Sequence, residues 1–204
     1  MIMDLARRTL ASPIVYDTFQ SLVGAPHCHE RFIRDMVRPI PGERILDIGC
    51  GVGASLRYLP DAITYVGIDV SDAYIAKAKA VHSERGTFVC ADVASVDPVT
   101  LGTFDRAFSF GVLHHLTDEV TAQLVELVRR VVKRGGAFIS IDPCYAPGQH
   151  PIARLLIDND RGEHVRDAAG FQRIVAGLGP VRATVYHDLL RIPYTQIVME
   201  IDIQ

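Results

Sequence analysis

Residues 45–55 constrain this chain most: an apolar run ends in three glycines spaced one residue apart (ILDIGCGVGAS). The apolar run predicts a buried strand, and Leu56 and Leu59, at helical spacing, predict a helix over residues 53–59. Glycine suits a turn whose backbone angles would strain a Cβ and whose main-chain N–H groups approach a ligand. The helix would direct its free N–H groups and positive dipole end into the same space. The stretch therefore predicts a loop that binds a nucleotide-like or carboxylate-bearing ligand.

An alternation of strands and helices follows this loop. Strands are predicted at residues 44–48, 63–68, 87–90, 104–110, 137–141, 182–191 and 194–203, and the main later helices at 72–80, 118–133 and 167–177. Ser71 is the expected N-cap of the helix that follows it, and Asp142 with Pro143 is expected to end the fifth strand. The pattern predicts an α/β fold: a Rossmann-like, doubly wound, mostly parallel seven-stranded sheet with a C-terminal antiparallel β-hairpin and helices on both faces.

No composition shift marks a domain boundary, so residues 1–204 are expected to form a single domain. Residues 1–42 have apolar positions at helical spacing, a second helix at 30–37 and a hinge at 24–26, and are expected to form an N-terminal helical lid. Residues 143–166, rich in proline and charge, are expected to form a substrate-side insert. The cluster HCHE at residues 27–30 indicates a polar helix start, because adjacent helical residues cannot easily converge on one metal ion.

Composition narrows the classes of function. The chain has 204 residues, 49% of them hydrophobic and 22% charged, which suits a globular domain. A net charge of −3 gives no basic footprint, so no nucleic-acid partner is expected. Four widely spaced cysteines predict reduced thiols in a cytoplasmic protein, with neither a disulfide framework nor a metal site. No membrane span and no signal peptide are expected.

Glycines and aspartates stand where the predicted strands end. They are Gly49, Asp69, Asp92, Gly111 and Asp142. Parallel sheets bind ligands outside the carboxyl ends of their strands. Asp69 is placed to accept hydrogen bonds from both hydroxyls of a ribose, and Asp92 with the Val93 N–H is placed to address an adenine.

Two families share the glycine loop. Gly49, Gly51 and Ala54 satisfy the dinucleotide fingerprint of nicotinamide-dependent dehydrogenases, with Asp69 twenty residues after Gly49. However, five blocks occur together in order: ILDIGCGVG at 45–53, GIDVS at 67–71, ADV at 91–93, FDRAFSFGVLHHL at 104–116 and RGGAFISI at 134–141. Over about residues 43–141 they resemble class I S-adenosylmethionine-dependent methyltransferases. The dehydrogenase interpretation is weaker, because the LHHL block has no counterpart in the nicotinamide fingerprint and the terminal hairpin suits the methyltransferases.

The resemblance implies methyl transfer from S-adenosylmethionine to an oxygen or nitrogen atom of a small molecule, with S-adenosylhomocysteine as product. It implies cofactor contacts from Asp47, Gly49, Cys50, Gly51, Gly53, Asp69, Val70, Asp92, Val93 and Gly111. His114 and His115, beside the expected methyl site, are the candidate catalytic bases, with loop orientation or helix capping as their alternative role. Substrate contacts are expected from Tyr16, Tyr145, His150 and Arg161.

Other functions on the same fold stay open. A nucleic-acid methyltransferase typically has an Asn/Asp-Pro-Pro-Tyr/Phe block after the fourth strand, where this chain has SFGV at residues 109–112. A nucleic-acid or protein methyltransferase is therefore one alternative, and a non-catalytic protein that binds S-adenosylmethionine is another. The sequence indicates neither the methyl acceptor nor the oligomeric state.

Overall fold

The computed structural model describes residues 24–160 and 162–204; Tyr16, Arg161 and the first part of the expected lid lie outside the described residues. The strands are β1 (Arg44–Ile48), β2 (Thr64–Asp69), β3 (Gly86–Cys90), β4 (Phe104–Phe110), β5 (Val132–Tyr145), β6 (Arg166–Asp167), β7 (Val181–Tyr186) and β8 (Gln196–Asp202). The α-helices are α1 (Ala25–Arg31), α2 (Asp72–His82), α3 (Pro98–Leu101), α4 (Asp118–Val131), α5 (Pro151–Asp158) and α6 (Ala168–Val175). A π-helical segment covers Phe32–Val37, and 3-10 helices cover Ala54–Tyr58, Leu113–His115 and Ala176–Leu178.

The strands form one mixed sheet in the order β3-β2-β1-β4-β5-β8-β7. Strands β1 to β5 are parallel, and β8 runs antiparallel to both β5 and β7. This confirms the predicted fold class, with the short β6, which pairs with β5 outside that order, as an unpredicted eighth strand. Because the strand order reverses between β1 and β4, the carboxyl ends of these two strands flank the crevice where such folds bind ligands.

Both faces of the sheet are buried, as the apolar strands require. One face carries Leu46 and Ile48 and packs under α4 and α6. The other face carries Ile45 and packs under the π-helical segment and α2, where Phe32 and Ile33 are fully buried. The α1 region is therefore joined to the sheet through a shared apolar core.

Several predicted boundaries were wrong: β5 begins at Val132 and not at residue 137, β7 ends at Tyr186 and not at residue 191, and three further differences bear on the site. The helix after the glycines is only the five-residue 3-10 helix Ala54–Tyr58, so it offers a much smaller dipole than a full α-helix. The expected hinge at residues 24–26 is the start of α1, with Pro26 in its first turn. The fifth strand continues through Pro143 to Tyr145, because the Pro143 nitrogen faces the side on which β4 has already ended and no ladder bond is lost.

Helix α5, inside the expected insert, was not predicted. Pro151 stands at the first helical position, where its missing N–H costs nothing, and His150 is the N-cap whose Nδ1 accepts from the Ile152 N–H at 3.1 Å. Pro151 and His150 therefore start a helix within the residues that were predicted only as a substrate-side insert.

Candidate functional site

The glycine loop leaves open space at one position. Gly49, Gly51 and Gly53 have φ of +73°, +54° and +77°, in the left-handed region that favours glycine. A Cβ on Gly49 would lie 2.5 Å from Val112 Cγ2, whereas a Cβ on Gly51 would meet no atom within 4 Å. The loop is therefore closed beneath Gly49 and open above Gly51, which leaves room for a ligand against the main chain.

Asp69 joins this loop to the start of α2. Its Oδ2 accepts from the Gly51 N–H at 2.9 Å, and its Oδ1 accepts from the Ser71 N–H at 2.8 Å. Ser71 caps α2 as predicted, because its hydroxyl accepts from the Tyr74 N–H. Each oxygen of Asp69 has one bond and retains a lone pair, so the carboxylate can still accept from two ligand hydroxyls. Val70 beside it is 73% exposed and offers an apolar surface to a flat ring.

Asp47 supports the loop from below. It is 1% exposed, and its carboxylate accepts hydrogen bonds from the Tyr65 hydroxyl at 2.7 Å and from the Ser55 side chain. Burial raises the pKa of Asp47 to about 7 despite these bonds. The Asp47 side chain therefore points at Tyr65 and Ser55 beneath the loop, and its predicted contact with the methionine end stays a prediction.

Cys50 and Gly53 also have packing roles. The Cys50 thiol packs on Gly67, where a Cβ would lie 2.7 Å from the sulfur, and burial raises the pKa of Cys50. A Cβ on Gly53 would lie 2.9 Å from Phe88 Cε1. Only main-chain atoms of Cys50 and Gly53 could therefore contact a ligand in the loop.

Asp92 and Val93 follow β3 at the same edge of the sheet. Asp92 is exposed, and its Oδ1 accepts from the Ala94 N–H at 2.9 Å, which leaves its second oxygen for a ligand donor. Val93 packs partly against the core. Their predicted contacts with an adenine stay predictions.

Gly111 turns the chain at the end of β4, with φ of +67° and an N–H that donates to the Ile141 carbonyl at 2.8 Å. The 3-10 helix that follows contains both candidate histidines. A Cβ on Gly111 would lie 3.6 Å from His114 Cε1. The turn therefore brings His114 directly beside the β4 terminus.

His114 is held between two carboxylates. Its Nδ1 lies 2.9 Å from Asp142 Oδ1, and its Nε2 lies 3.3 Å from Asp160 Oδ1. Burial lowers the pKa of His114, but the hydrogen bonds and charges of these two carboxylates outweigh it and raise the pKa to about 9. His114 therefore carries its proton at neutral pH, with both ring nitrogens occupied, and it is poorly suited to accept a second proton.

His115 differs from its neighbour. The two rings lie with centroids 4.0 Å apart, and the His115 residue is exposed to solvent. Partial burial of the ring and the charge of His114 lower the pKa of His115. His115 is therefore neutral at neutral pH and keeps a nitrogen lone pair that can accept a proton.

Two of the substrate candidates, Tyr145 and His150, lie within the described residues and contact different neighbours. The Tyr145 hydroxyl donates to Asp158 Oδ1 at 3.1 Å, and the Arg154 guanidinium lies 4.4 Å from the Tyr145 ring centroid. His150 lines a small cavity at the carboxyl edge of the sheet together with His187. Tyr16 and Arg161 lie outside the described residues.

Two residues of the site were not among the predicted site residues. Asp160 holds His114 and accepts from the Tyr194 hydroxyl at 3.1 Å, and burial of the carboxylate is outweighed by its hydrogen bonds, which lower the pKa of Asp160 to about 2. Arg166 binds main-chain carbonyls of the histidine loop. Asp160 belongs to a charged run for which the sequence leaves open a solvated face or substrate contacts, so only its contact with His114 assigns it to the site.

Across residues 24–160 and 162–204, no group of three or more metal-ligating side chains comes together. Within the same residues, no helix has the length and apolar character needed to cross a membrane.

The comparisons with known proteins agree with this geometry. A family model described as a methyltransferase domain matches residues 45–136. The chain is 28% identical over 158 residues to 24-methylenesterol C-methyltransferase 2 of Oryza sativa subsp. japonica, covering 73% of this chain and 40% of that one. It is 33% identical over 103 residues to an uncharacterized methyltransferase of Synechocystis sp., covering 50% of this chain and 48% of that one. The chain thus spans less than half the length of these curated relatives.

A solved structure shares the fold at low identity. Magnesium protoporphyrin IX methyltransferase from Synechocystis, with bound S-adenosylhomocysteine, has a TM-score of 0.66 and 18% sequence identity, over 89% of this chain and 85% of that one. The sequence blocks, the sheet order and the matched model agree with one another. Residues 45–136 match a methyltransferase domain, and the chain shares its fold with a methyltransferase that binds S-adenosylhomocysteine.

Proposed function

We propose that the chain transfers the methyl group of S-adenosylmethionine to a small-molecule acceptor. The observation that carries this proposal is the open glycine loop, which lies where the strand order of the sheet reverses. In this loop the Gly51 N–H donates to Asp69 Oδ2 at 2.9 Å. The loop offers main-chain groups to a ligand, and Asp69 offers fixed acceptors for its hydroxyls.

The residues at this crevice have the hydrogen-bonding groups and the apolar surface that S-adenosylmethionine requires. Asp69 would accept from the ribose hydroxyls, exposed Val70 would cover one face of the adenine, and Asp92 with Val93 would address its edge. Gly51 and Gly111 would contact the methionine end through the main chain, because neither carries a side chain that blocks it. When bound, the cofactor supplies an electrophilic methyl group on a positively charged sulfur.

The acceptor that we propose is a small molecule. The net charge of −3 is unsuited to a nucleic-acid backbone, and the relatives are named for a sterol and a porphyrin. The rice relative is named as a C-methyltransferase, so a carbon acceptor joins the oxygen and nitrogen acceptors that the sequence led us to expect. A cytoplasmic location and transfer without a metal ion stay part of the proposal.

The two histidines take different roles in this proposal. His115, neutral and accessible, would accept the proton that an acceptor loses. His114, charged and buried, would orient the loop and place positive charge beside the acceptor. The lid of residues 1–42 and the insert of residues 143–166, with Tyr16, Tyr145, His150 and Arg161, would enclose the acceptor within a single domain.

The experiment is a turnover assay of the purified protein with labelled S-adenosylmethionine. Separate pools of sterols, porphyrins, small amines, DNA, RNA and protein are offered as acceptors, and S-adenosylhomocysteine formation is measured. We expect formation only with a small-molecule pool. Turnover with DNA, RNA or protein alone would contradict the small-molecule acceptor, and cofactor binding without turnover on any pool would favour a non-catalytic binding protein.

Once an acceptor has been identified, the variant His115→Gln tests whether His115 acts as the general base. If His115 accepts the proton of a hydroxyl or ammonium acceptor, the variant lowers kcat by about 100-fold or more and leaves the affinity for S-adenosylmethionine unchanged. His27→Gln, an exposed change on α1, is the matched control. Unchanged turnover in His115→Gln would remove the histidine from this role.

A further inference from the structure

His29, on α1, lies outside the matched residues 45–136 and contacts three residues in two elements beside the glycine loop and Gly111. Its Nε2 lies 3.0 Å from Ser55 Oγ, in the 3-10 helix that follows the glycine loop. Its ring stacks on Phe110, the last residue of β4, with centroids 4.2 Å apart and planes inclined by 16°. Its ring also lies tilted against Tyr58, with centroids 5.4 Å apart. A single imidazole thus joins α1 to the end of β4 and to the 3-10 helix that follows the glycine loop.

The donor and the acceptor in each hydrogen bond between His29, Ser55 and Asp47 follow from which of these side chains carries a proton. Above pH 7, where Asp47 is ionised, its carboxylate can only accept, and it receives the Tyr65 hydroxyl and the Ser55 hydroxyl. Ser55 has one proton and gives it to Asp47, so its oxygen must accept from the Nε2–H of His29. This fixes the Nε2–H form of a neutral ring, in agreement with burial, which lowers the pKa of His29 to about 4.

We infer that His29 is a positioning residue of the cofactor site. Its Nε2–H fixes Ser55 and, through Ser55, Asp47 beneath the glycine loop. Its ring fixes Phe110, and thereby the start of the turn at Gly111. The inference rests on the proposed function, because it assigns His29 to the crevice where the cofactor binds.

The competing explanation is that the ring of His29 only fills space between α1 and the sheet. Phenylalanine would serve that purpose equally well, since it can stack on Phe110. It has no donor for Ser55, however, and would leave the buried Ser55 oxygen without the hydrogen bond that it accepts from His29. Substitutions can therefore separate the hydrogen bond from the packing.

The experiment compares His29→Phe, His29→Gln and the control His27→Phe, an exposed change two residues earlier on the same helix. Calorimetry gives the Kd for S-adenosylhomocysteine, and thermal unfolding checks the fold. We expect His29→Phe to weaken binding by about tenfold, as loss of a buried hydrogen bond predicts. The Gln side chain can donate to Ser55, so His29→Gln should restore most of the affinity, and His27→Phe should bind as the wild type does.

Ser55→Ala and the double variant Ser55→Ala with His29→Phe test the route through Ser55. If His29 acts through Ser55, the double variant binds no more weakly than Ser55→Ala alone. Wild-type affinity in His29→Phe, or additive losses in the double variant, would overturn the inference. If His29→Phe unfolds at the assay temperature, Ser55→Ala decides, and unchanged binding in it would overturn the inference.

Failure of the wild-type protein to bind S-adenosylhomocysteine would bear on the proposed function and not on the role of His29. That result would contradict the proposed function before any variant is compared. The failure of the proposed function and the failure of the inference are therefore distinguished by the wild-type titration.

Discussion

At the scale of single residues, the charge of His114 contributes to stability as well as to the site. The imidazole is 5% exposed and lies between Asp142 and Asp160, so removing its proton would leave two carboxylates around a neutral ring. The pKa of His114 in the folded protein, about 9, exceeds the ordinary value of 6.5. The stabilisation is therefore fully present below pH 6.5 and is lost as the pH rises through 9.

This predicts a pH-dependent difference between the wild type and His114→Gln. The free energy of unfolding of the wild type should fall, relative to that of the variant, by on the order of 2 to 3 kcal/mol between pH 6 and pH 9.5. Urea denaturation at pH 6, 7.5 and 9.5 measures this difference, and subtracting the variant removes the contribution of other titrating groups. A difference that stays constant with pH would show that His114 titrates as an ordinary histidine.

Some residue roles could be predicted from the sequence and others could not. Asp69 follows an apolar strand directly, so its position at the carboxyl edge of the sheet could be predicted. The HH pair was locatable too, but its two ionisation states depend on Asp142 and Asp160, which only the tertiary structure brings to His114. The burial of Asp47 could not be predicted, because the motif marks the loop and does not say on which face of the sheet its carboxylate lies.

At the scale of elements, Arg166 of β6 connects the histidine loop to the start of α6. Its guanidinium donates to the Leu113 and Leu116 carbonyls at 3.1 and 2.9 Å and pairs with Asp118 Oδ1 at 2.6 Å. The side chain is only 13% exposed. The planar fork of arginine can reach these acceptors together, whereas the single ammonium of lysine cannot.

Arg166→Lys should therefore destabilise the protein and loosen the loop that carries the histidines. We expect a loss of about 1 to 3 kcal/mol in the free energy of unfolding, because main-chain carbonyls lose charged donors. Chemical denaturation measures the loss, with Arg173→Lys, exposed on α6, as the matched control. Equal stability in the two variants would mean that the Arg166 contacts contribute nothing to the loop.

Most elements could be predicted from periodicity, and the exceptions have local causes. The bounds of β1 and β4 agree with the predicted residues 44–48 and 104–110, since both are rich in apolar residues and each is followed directly by a glycine. Helix α5 was missed because a proline marks a break in a sequence but is favourable at the first helical position. Strand β6 has two residues, too few to produce a periodic pattern.

At the scale of the whole molecule, the sheet order explains why distant residues form one site. The reversal between β1 and β4 places the glycine loop beside Gly111 and the histidine loop, and α1 covers the same crevice through His29. The strand sequence and the terminal hairpin were predicted from the alternation of elements together with the family resemblance. The identity of the acceptor was not, because its contacts fall on segments outside the repeating pattern.

Calorimetric titration of the wild type, Asp69→Ala and the control Asp72→Ala with S-adenosylmethionine, S-adenosylhomocysteine and NADH tests the central claim most directly. The account predicts that the wild type binds the first two compounds and does not bind NADH. Asp69→Ala should weaken their binding by about 10- to 100-fold, because charge-assisted bonds to the ribose are lost, while Asp72→Ala, at an exposed position on α2, should bind as the wild type does. Binding of NADH alone, or full affinity in Asp69→Ala, would contradict the account.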